Sequence, residues 1–300
     1  MPSFSSIDDV YDSLCSHDYI AERGLATTIF LASKMERPVF LEGGAGVGKT
    51  EVAKVLSTVL DTELIRLQCY EGLDVHSAVY EWNYARQMLQ IRMIEAGGGR
   101  DEKQIIQEIF SEEYLIARPL LQAVRGGAKT APVLLIDELD RADEEFEAFL
   151  LELLSDFQVT IPEIGTIKTS KPPLVVITSN RTREIHDALK RRCLYYWIDY
   201  PSAEKEFQIV MAKVPKIAEH IAREVVGFVQ ELRTMDLYKH PGVAETLDWS
   251  VALTTLAQTE LTPGIIDDTL GTLLKYQDDI AKVKGHRAAG VVEKLKMELK

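Results

Sequence analysis

Residues 43 to 50 read Gly-Gly-Ala-Gly-Val-Gly-Lys-Thr, a run of glycines ahead of a lysine and a hydroxyl that suits one task, gripping a chain of phosphates. With no side chains in the way, consecutive backbone N–H groups can turn inward around phosphate oxygens. A helix opening at Gly48 adds its positive end. The Lys49 ammonium is then expected on the outer phosphates and the Thr50 hydroxyl on Mg2+. The expected contacts to ATP run through Gly43, Gly44, Ala45, Gly46, Val47, Gly48, Lys49, Thr50 and Glu51. A dinucleotide fingerprint is excluded, because Gly44 and Gly46 would need a third glycine where Lys49 stands.

Farther along, the apolar run Val133-Leu134-Leu135-Ile136 ends in Asp137 and Glu138. Opposite a bound triphosphate, Asp137 would hold Mg2+ through its water shell and Glu138 would polarise the water attacking the γ-phosphate. Acidic pairs also end ordinary strands, and it is Lys49 upstream that gives this one its meaning. The run Leu174–Ser179 leads into Asn180, whose amide could orient the same water, although asparagine after a strand is also a common turn residue. Lys190, Arg191 and Arg192 cluster before Cys193. Such a cluster complements a helix dipole, or lends an arginine to a neighbour's γ-phosphate.

These residues need a scaffold. Apolar runs at Pro38–Glu42, Leu64–Cys69, Val133–Asp137, Leu174–Ser179 and Leu194–Ile198 alternate with helical patterns, as in a parallel sheet covered on both faces. Val52, Val55, Leu56, Val59 and Leu60 mark the helix after the glycine loop. Phe146, Phe149, Leu150, Leu153, Leu154 and Phe157 mark another, opened by Asp143, Glu144 and Glu145. Beyond Pro201 the strand signal stops. Ile217, Ile221, Val225, Phe228, Val229 and Leu232 predict one helix, and His240-Pro241-Gly242 and Thr262-Pro263-Gly264 punctuate two more. Gly97-Gly98-Gly99 predicts a turn between helical pieces.

The balance of 47 acidic and 34 basic residues, net −13, argues against a broad grip on nucleic acid or anionic lipid. The first ten residues carry no leader pattern and no run is long enough to span a membrane, so a cytoplasmic protein is expected. Cys15, Cys69 and Cys193 lie far apart and are expected to be core thiols, and the histidines make no metal motif.

Taken in order, GGAGVGKT, LLIDELDRAD, ITSN and ALKRRC resemble the Walker A, Walker B, sensor 1 and arginine-finger elements of AAA+ ATPases. LIDELDRADEEFEAFLLELLSDFQVTIPEIG resembles the MoxR branch. TLDW with RRCLYYWIDYP is similar to its members that accompany aerobic carbon monoxide dehydrogenase maturation. The resemblance implies an α/β P-loop NTPase: a five-stranded parallel sheet with flanking helices over residues 1–200, then a small all-α lid over 201–300. An insertion around helix 2 is expected at about 83–125 and a hairpin before sensor 1 at about 157–170. It further implies ATP hydrolysis, a ring of usually six subunits, Arg192 as finger with Arg191 in reserve, and a protein client remodelled alongside a von Willebrand A-domain partner. The sensor 2 arginine of the family lid is missing, for the expected region, a helix starting near Asp248, reads Asp-Trp-Ser-Val-Ala. Two other readings share parts of the pattern. A DNA-acting loader or motor would want an added basic module, and none is present. A GTP-binding switch would want a guanine reader, also missing, while a P-loop kinase has little use for Glu138 beside Asp137.

Overall fold

The computed structural model describes residues 4–97, 101–126, 130–169 and 171–298. Strands are β1 (Val39–Gly43), β2 (Leu64–Gln68), β3 (Tyr80–Trp82), β4 (Leu115–Ala117), β5 (Val133–Asp137), β6 (Gln158–Ile161), β7 (Gly165–Lys168), β8 (Leu174–Ser179) and β9 (Leu194–Ile198). Helices through the strand-bearing part are α1 (Ile7–Ser16), α2 (Arg23–Met35), α3 (Lys49–Val59), α4 (Val75–Val79), α5 (Tyr84–Ala96), α6 (Glu102–Ile109), α7 (Pro119–Arg125), α8 (Glu144–Asp156) and α9 (Asp187–Arg192). After them come α10 (Ala203–Lys213), α11 (Glu219–Thr234), α12 (Val243–Thr255), α13 (Pro263–Leu273), α14 (Gln277–Val283) and α15 (His286–Glu298).

The chain packs as two compact units, one of Met1–Tyr11, Arg23–Glu42 and Val52–Tyr196, the other of Asp12–Glu22, Gly43–Glu51 and Trp197–Lys300. A five-stranded parallel sheet in the order β2-β5-β8-β1-β9 organises the first. Strands β1, β5 and β8 are buried along their whole length, which is why each reads as an apolar run up to its last one or two residues. Strand β2 lies at an edge and alternates: Ile65 and Leu67 are buried, Arg66 and Gln68 exposed. The register pairs Gln68 with Asp137, Ile136 with Ile177 and Glu42 with Ser179. The carboxyl ends of four strands therefore line up along one border of the sheet.

Helix α8 packs Phe146, Leu150, Leu153 and Leu154 into the same core as β5 and β8. Its start is fixed by Asp143, whose carboxylate accepts the Phe146 N–H at 2.9 Å, and three glutamates in its first turn complement the dipole. The chain then turns at Phe157, φ +46°, into the β6–β7 hairpin, which closes at Ile161 opposite Gly165. A second antiparallel pair, β3 with β4, joins the two ends of the segment that carries α5 and α6. Gly98 and Gly99, expected in a turn, and Ser170, expected at the end of the hairpin, lie outside the described residues.

In the second unit no strand follows Ile198 among the described residues. Its core gathers Val225, Phe228, Val229, Trp249, Leu253, Ile266 and Leu270, each such side chain contributing about 1.5–3 kcal/mol by leaving water. The Trp249 indole N–H donates to Thr269 at 2.8 Å, so the one polar atom of that buried ring is satisfied. Ile217, expected on the first of these long helices, is buried just ahead of α11 instead.

Candidate nucleotide site

The glycine loop leaves β1 at Gly43, and α3 opens at Lys49. A Cβ at Gly43 would stand 2.1 Å from the Ile198 carbonyl oxygen, a position no other residue type can fill. Gly46 and Gly48 carry φ values of +76° and +94°, the left-handed region that side chains strain. Lys49 is 6% exposed, and its ammonium donates to the carbonyls of Gly43 at 2.9 Å and Gly44 at 2.6 Å. A buried cation held across a loop stripped of side chains, at the positive end of a helix, fits a polyphosphate. Thr50 is half-buried in the first turn of α3, while the Glu51 carboxylate pairs with Lys213 at 3.2 Å.

The loop is braced from the start of α12. The Ala244 N–H donates to the Gly46 carbonyl at 3.2 Å, and a Cβ at Gly242 would meet the Ala45 carbonyl oxygen at 2.7 Å and Gly46 Cα at 2.9 Å. Glu245 takes the Gly242 N–H at 3.0 Å, half of a capping box. Beneath it, Thr246 donates to the fully buried Glu206 at 2.7 Å. The guanidinium of Arg233 grips the same carboxylate with two bonds of 2.7 Å. Helix α12 thus begins at Val243, and Asp248, expected at its start, lies in its second turn. The Gly242–Glu245 capping box fixes the earlier boundary. The cap residue Gly242 and, in the first turn of α12, Ala244 meet the loop, with Glu245 alongside.

At the strand ends of the first unit, side chains do the positioning. Asp137 is 2% exposed; its Oδ1 accepts the Thr178 hydroxyl at 2.6 Å, and its Oδ2 accepts Arg66 Nη2 at 2.5 Å and Nε at 3.1 Å. Glu138 takes a left-handed backbone, φ +55°, and its N–H donates to the Thr178 hydroxyl at 2.9 Å. Its carboxylate, partly open to solvent, accepts Gln68 Nε2 at 3.1 Å and Asn180 Nδ2 at a long 3.4 Å, with the Arg141 guanidinium 3.8 Å away. Two residues on, buried Asp140 accepts the N–H groups of Asn180 (3.1 Å) and Thr182 (2.9 Å) and the Thr182 hydroxyl (2.7 Å). Burial works against its charge, yet the Thr182 and Asn180 donors outweigh burial and hold its carboxyl below the usual range. Asp140 thereby fastens the loop after β8 to the end of β5.

Arg191 and Arg192 close α9. Arg192 donates to the Leu151 carbonyl at 3.1 Å and its own carbonyl accepts Arg37 Nε at 2.9 Å. The Arg191 side chain is largely in solvent, with Asp187 of the same helix at 4.0 Å.

The family model for the AAA domain of the dynein-related subfamily matches residues 38–193, from the first residue before β1 to the last before β9. This chain belongs to that AAA family.

Relatives of the AAA chain include uncharacterized proteins of Staphylococcus epidermidis and Staphylococcus haemolyticus, 24% identical over 209 residues and 26% over 208. Each alignment covers 67% of this chain and 70% of the relative. Among solved structures it is similar to a variant of Thermotoga maritima RuvB, at 16% identity and TM-score 0.48, over 91% of this chain and 72% of that one. It is also similar to the T. maritima RuvB Holliday junction branch migration motor, at 15% and 0.44, over 83% and 66%. No helix among the described residues is long and apolar enough to cross a membrane.

Of the residues expected at the AAA site, Asp137, Glu138 and Asn180 come together around Thr178, Gln68 and Arg66. Sequence reasoning missed Thr178, Arg66, Gln68 and Asp140. A signal for the first three existed in the alternating polar positions of β2 and the hydroxyl inside an apolar β8. The strand ends of the first unit supply a carboxylate held by a hydroxyl and a guanidinium and a more open carboxylate held by two amides; the loop of the second supplies a buried ammonium.

Proposed function

We propose that this chain hydrolyses ATP as a MoxR-type AAA+ chaperone, most similar to the ATPase that accompanies aerobic carbon monoxide dehydrogenase maturation. It would act in the cytoplasm as a ring of six, with residues 201–300 as its lid, and remodel a metalloenzyme or another protein client beside a von Willebrand A-domain partner. The observation that carries the enzymatic part is the alignment of strand ends, which sets Asp137, Ser179 and Glu42, the residue before Gly43, along one sheet border. The client and partner rest on the sequence resemblance of TLDW and RRCLYYWIDYP.

In this reading the loop from Gly43 to Glu51 holds the phosphates through its N–H groups, and Lys49 neutralises the outer ones. Bound Mg2+, held by Thr50 and by Asp137 through water, would offset charge on the phosphates. Glu138 receives a proton from the water as that water attacks the γ-phosphorus and the bond to the ADP oxygen breaks. Asn180 steadies both Glu138 and the water, and Arg192, or Arg191, reaches the triphosphate of a neighbouring subunit.

The test uses the whole chain. Glu138→Gln should bind a fluorescent ATP analogue about as well as the native protein while turnover falls about a hundredfold or more, and Lys49→Ala should lose binding. Full ATPase activity in either variant would refute the assignment. The Glu138→Gln chain held in ATP, used as bait and imaged by electron microscopy, is expected to form rings and retain a protein. DNA alone on the bait would favour a loader or motor.

A further inference from the structure

Arg66 has no part in the chemistry just described, yet its guanidinium lies 2.5 Å from the Asp137 carboxylate. It stands on β2 beside β5, on the same strand face as Gln68, and its side chain is 51% exposed against 3% for that of Asp137. Two of its nitrogens, Nη2 and Nε, converge on one oxygen, Oδ2, while the Thr178 hydroxyl takes the other. The same Nη2 donates to Gln68 Oε1 at 2.5 Å, and the Gln68 amide nitrogen turns to Glu138. Both oxygens of Asp137 are thus engaged by donors of the chain itself.

We propose that Arg66 is a positioning residue that competes with magnesium for Asp137 and so sets how much Mg2+ the site demands. This rests on the reading of Asp137 as the carboxylate behind the metal's water shell. A buried carboxylate without a cation is costly, so in the ligand-free chain the guanidinium stays on Oδ2. A water of the magnesium shell needs a lone pair on that carboxylate, and on Oδ2 the guanidinium holds both, so that oxygen opens to the water only as the guanidinium withdraws. Half in solvent, Arg66 can do so and keep its charge hydrated. A carboxylate that alternates between an arginine and a metal is never left bare. The cost is that the metal must displace a competing cation.

The experiment titrates Mg2+ against binding of a fluorescent ADP analogue to the full chain, with thermal melts of each variant. Arg66→Gln should lower the half-saturating Mg2+ about fivefold, leave affinity without Mg2+ within about twofold, and lower the ligand-free melting midpoint, with Mg2+ and ADP together closing that gap. Arg66→Lys, with one bond in place of two, should fall between the two and serves as the probe if Arg66→Gln does not fold. An unchanged Mg2+ requirement in the folded variants makes Arg66 a structural ion pair only and overturns the proposal. A tenfold loss of affinity without Mg2+ would mean that Arg66 grips the nucleotide itself, and overturns it equally. Asp137→Asn separates the layers. If the Mg2+ dependence survives that change, the site reading has failed; if it vanishes while Arg66→Gln behaves as native, only the role of Arg66 has.

Discussion

The glycine loop and the acidic strand end are held in place by opposite means. Around the loop the constraints are main-chain ones: two positive-φ glycines, carbonyls that hold Lys49, and a close approach to Gly242 that leaves no room for a Cβ. At the strand end the constraints are side chains drawn from β2, β5, β8 and the loops beyond, with Thr178, Arg66, Gln68, Asn180 and Thr182 all fixing carboxylates. A surface that must follow phosphate oxygens closely favours backbone, which is rigid and carries no side-chain entropy. Carboxylates that must exchange partners favour side chains, which can let go. Substitutions in the two regions should therefore fail differently.

The largest effect is expected at Gly43. A methyl group there would sit 2.1 Å from a backbone oxygen, so Gly43→Ala should cost about 3 kcal/mol and lower the melting midpoint by about 6 °C or more. A melt within a degree of native would break the contrast. Next, Asp140→Ala removes the acceptor of two N–H groups and a hydroxyl, for about 2 kcal/mol in denaturant unfolding near neutral pH. Because the folded carboxyl titrates below its unfolded value, this contribution is whole above about pH 4 and fades as pH falls through the lowered value. The native and Asp140→Ala curves should converge in acid; a constant gap would show that charge is not involved.

A smaller loss, about 1–2 kcal/mol with weaker nucleotide binding, is expected for Gly242→Ala, whose Cβ would meet Ala45 and Gly46. Gly264→Ala, where nothing lies within reach, should be neutral or gain about 0.5 kcal/mol, and equal melts for the two would remove the brace between α12 and the loop. Smallest in stability is Asn180→Ala. Its 3.4 Å bond to Glu138 is worth under about 1 kcal/mol, yet turnover should drop about tenfold if the amide also orients water. Unchanged turnover would leave Asn180 a loop residue.

The five sheet strands were readable because their environment demands it. Val133–Ile136 and Val175–Ile177 are buried on both faces and cannot afford a polar side chain there. Strands β3 and β4, three residues each, are too short for any alternation to show, and only their pairing reveals them. The start of α12 was misplaced because Gly242 lacks the side chain that usually marks an N-cap, the mark being Glu245 three residues on. Among the candidate residues, Lys49, Asp137 and Glu138 announce themselves by type and spacing. Arg66, Gln68 and Asp140 do not, since an arginine on an edge strand or a third acid after a strand is ordinary until the fold supplies its partner.

Cys69 follows β2 directly, its N–H bonded to the Asp137 carbonyl at 2.9 Å and its side chain 2% exposed. Burial first, then the charges of Asp137, Asp140 and Glu138, push its thiol up to about 12. Such a sulfur ignores alkylating reagents until the sheet border opens and water reaches it. The rate at which it is labelled under native conditions is then a clock for local breathing beneath the acidic pair, read by mass spectrometry without engineering a reporter residue into the chain.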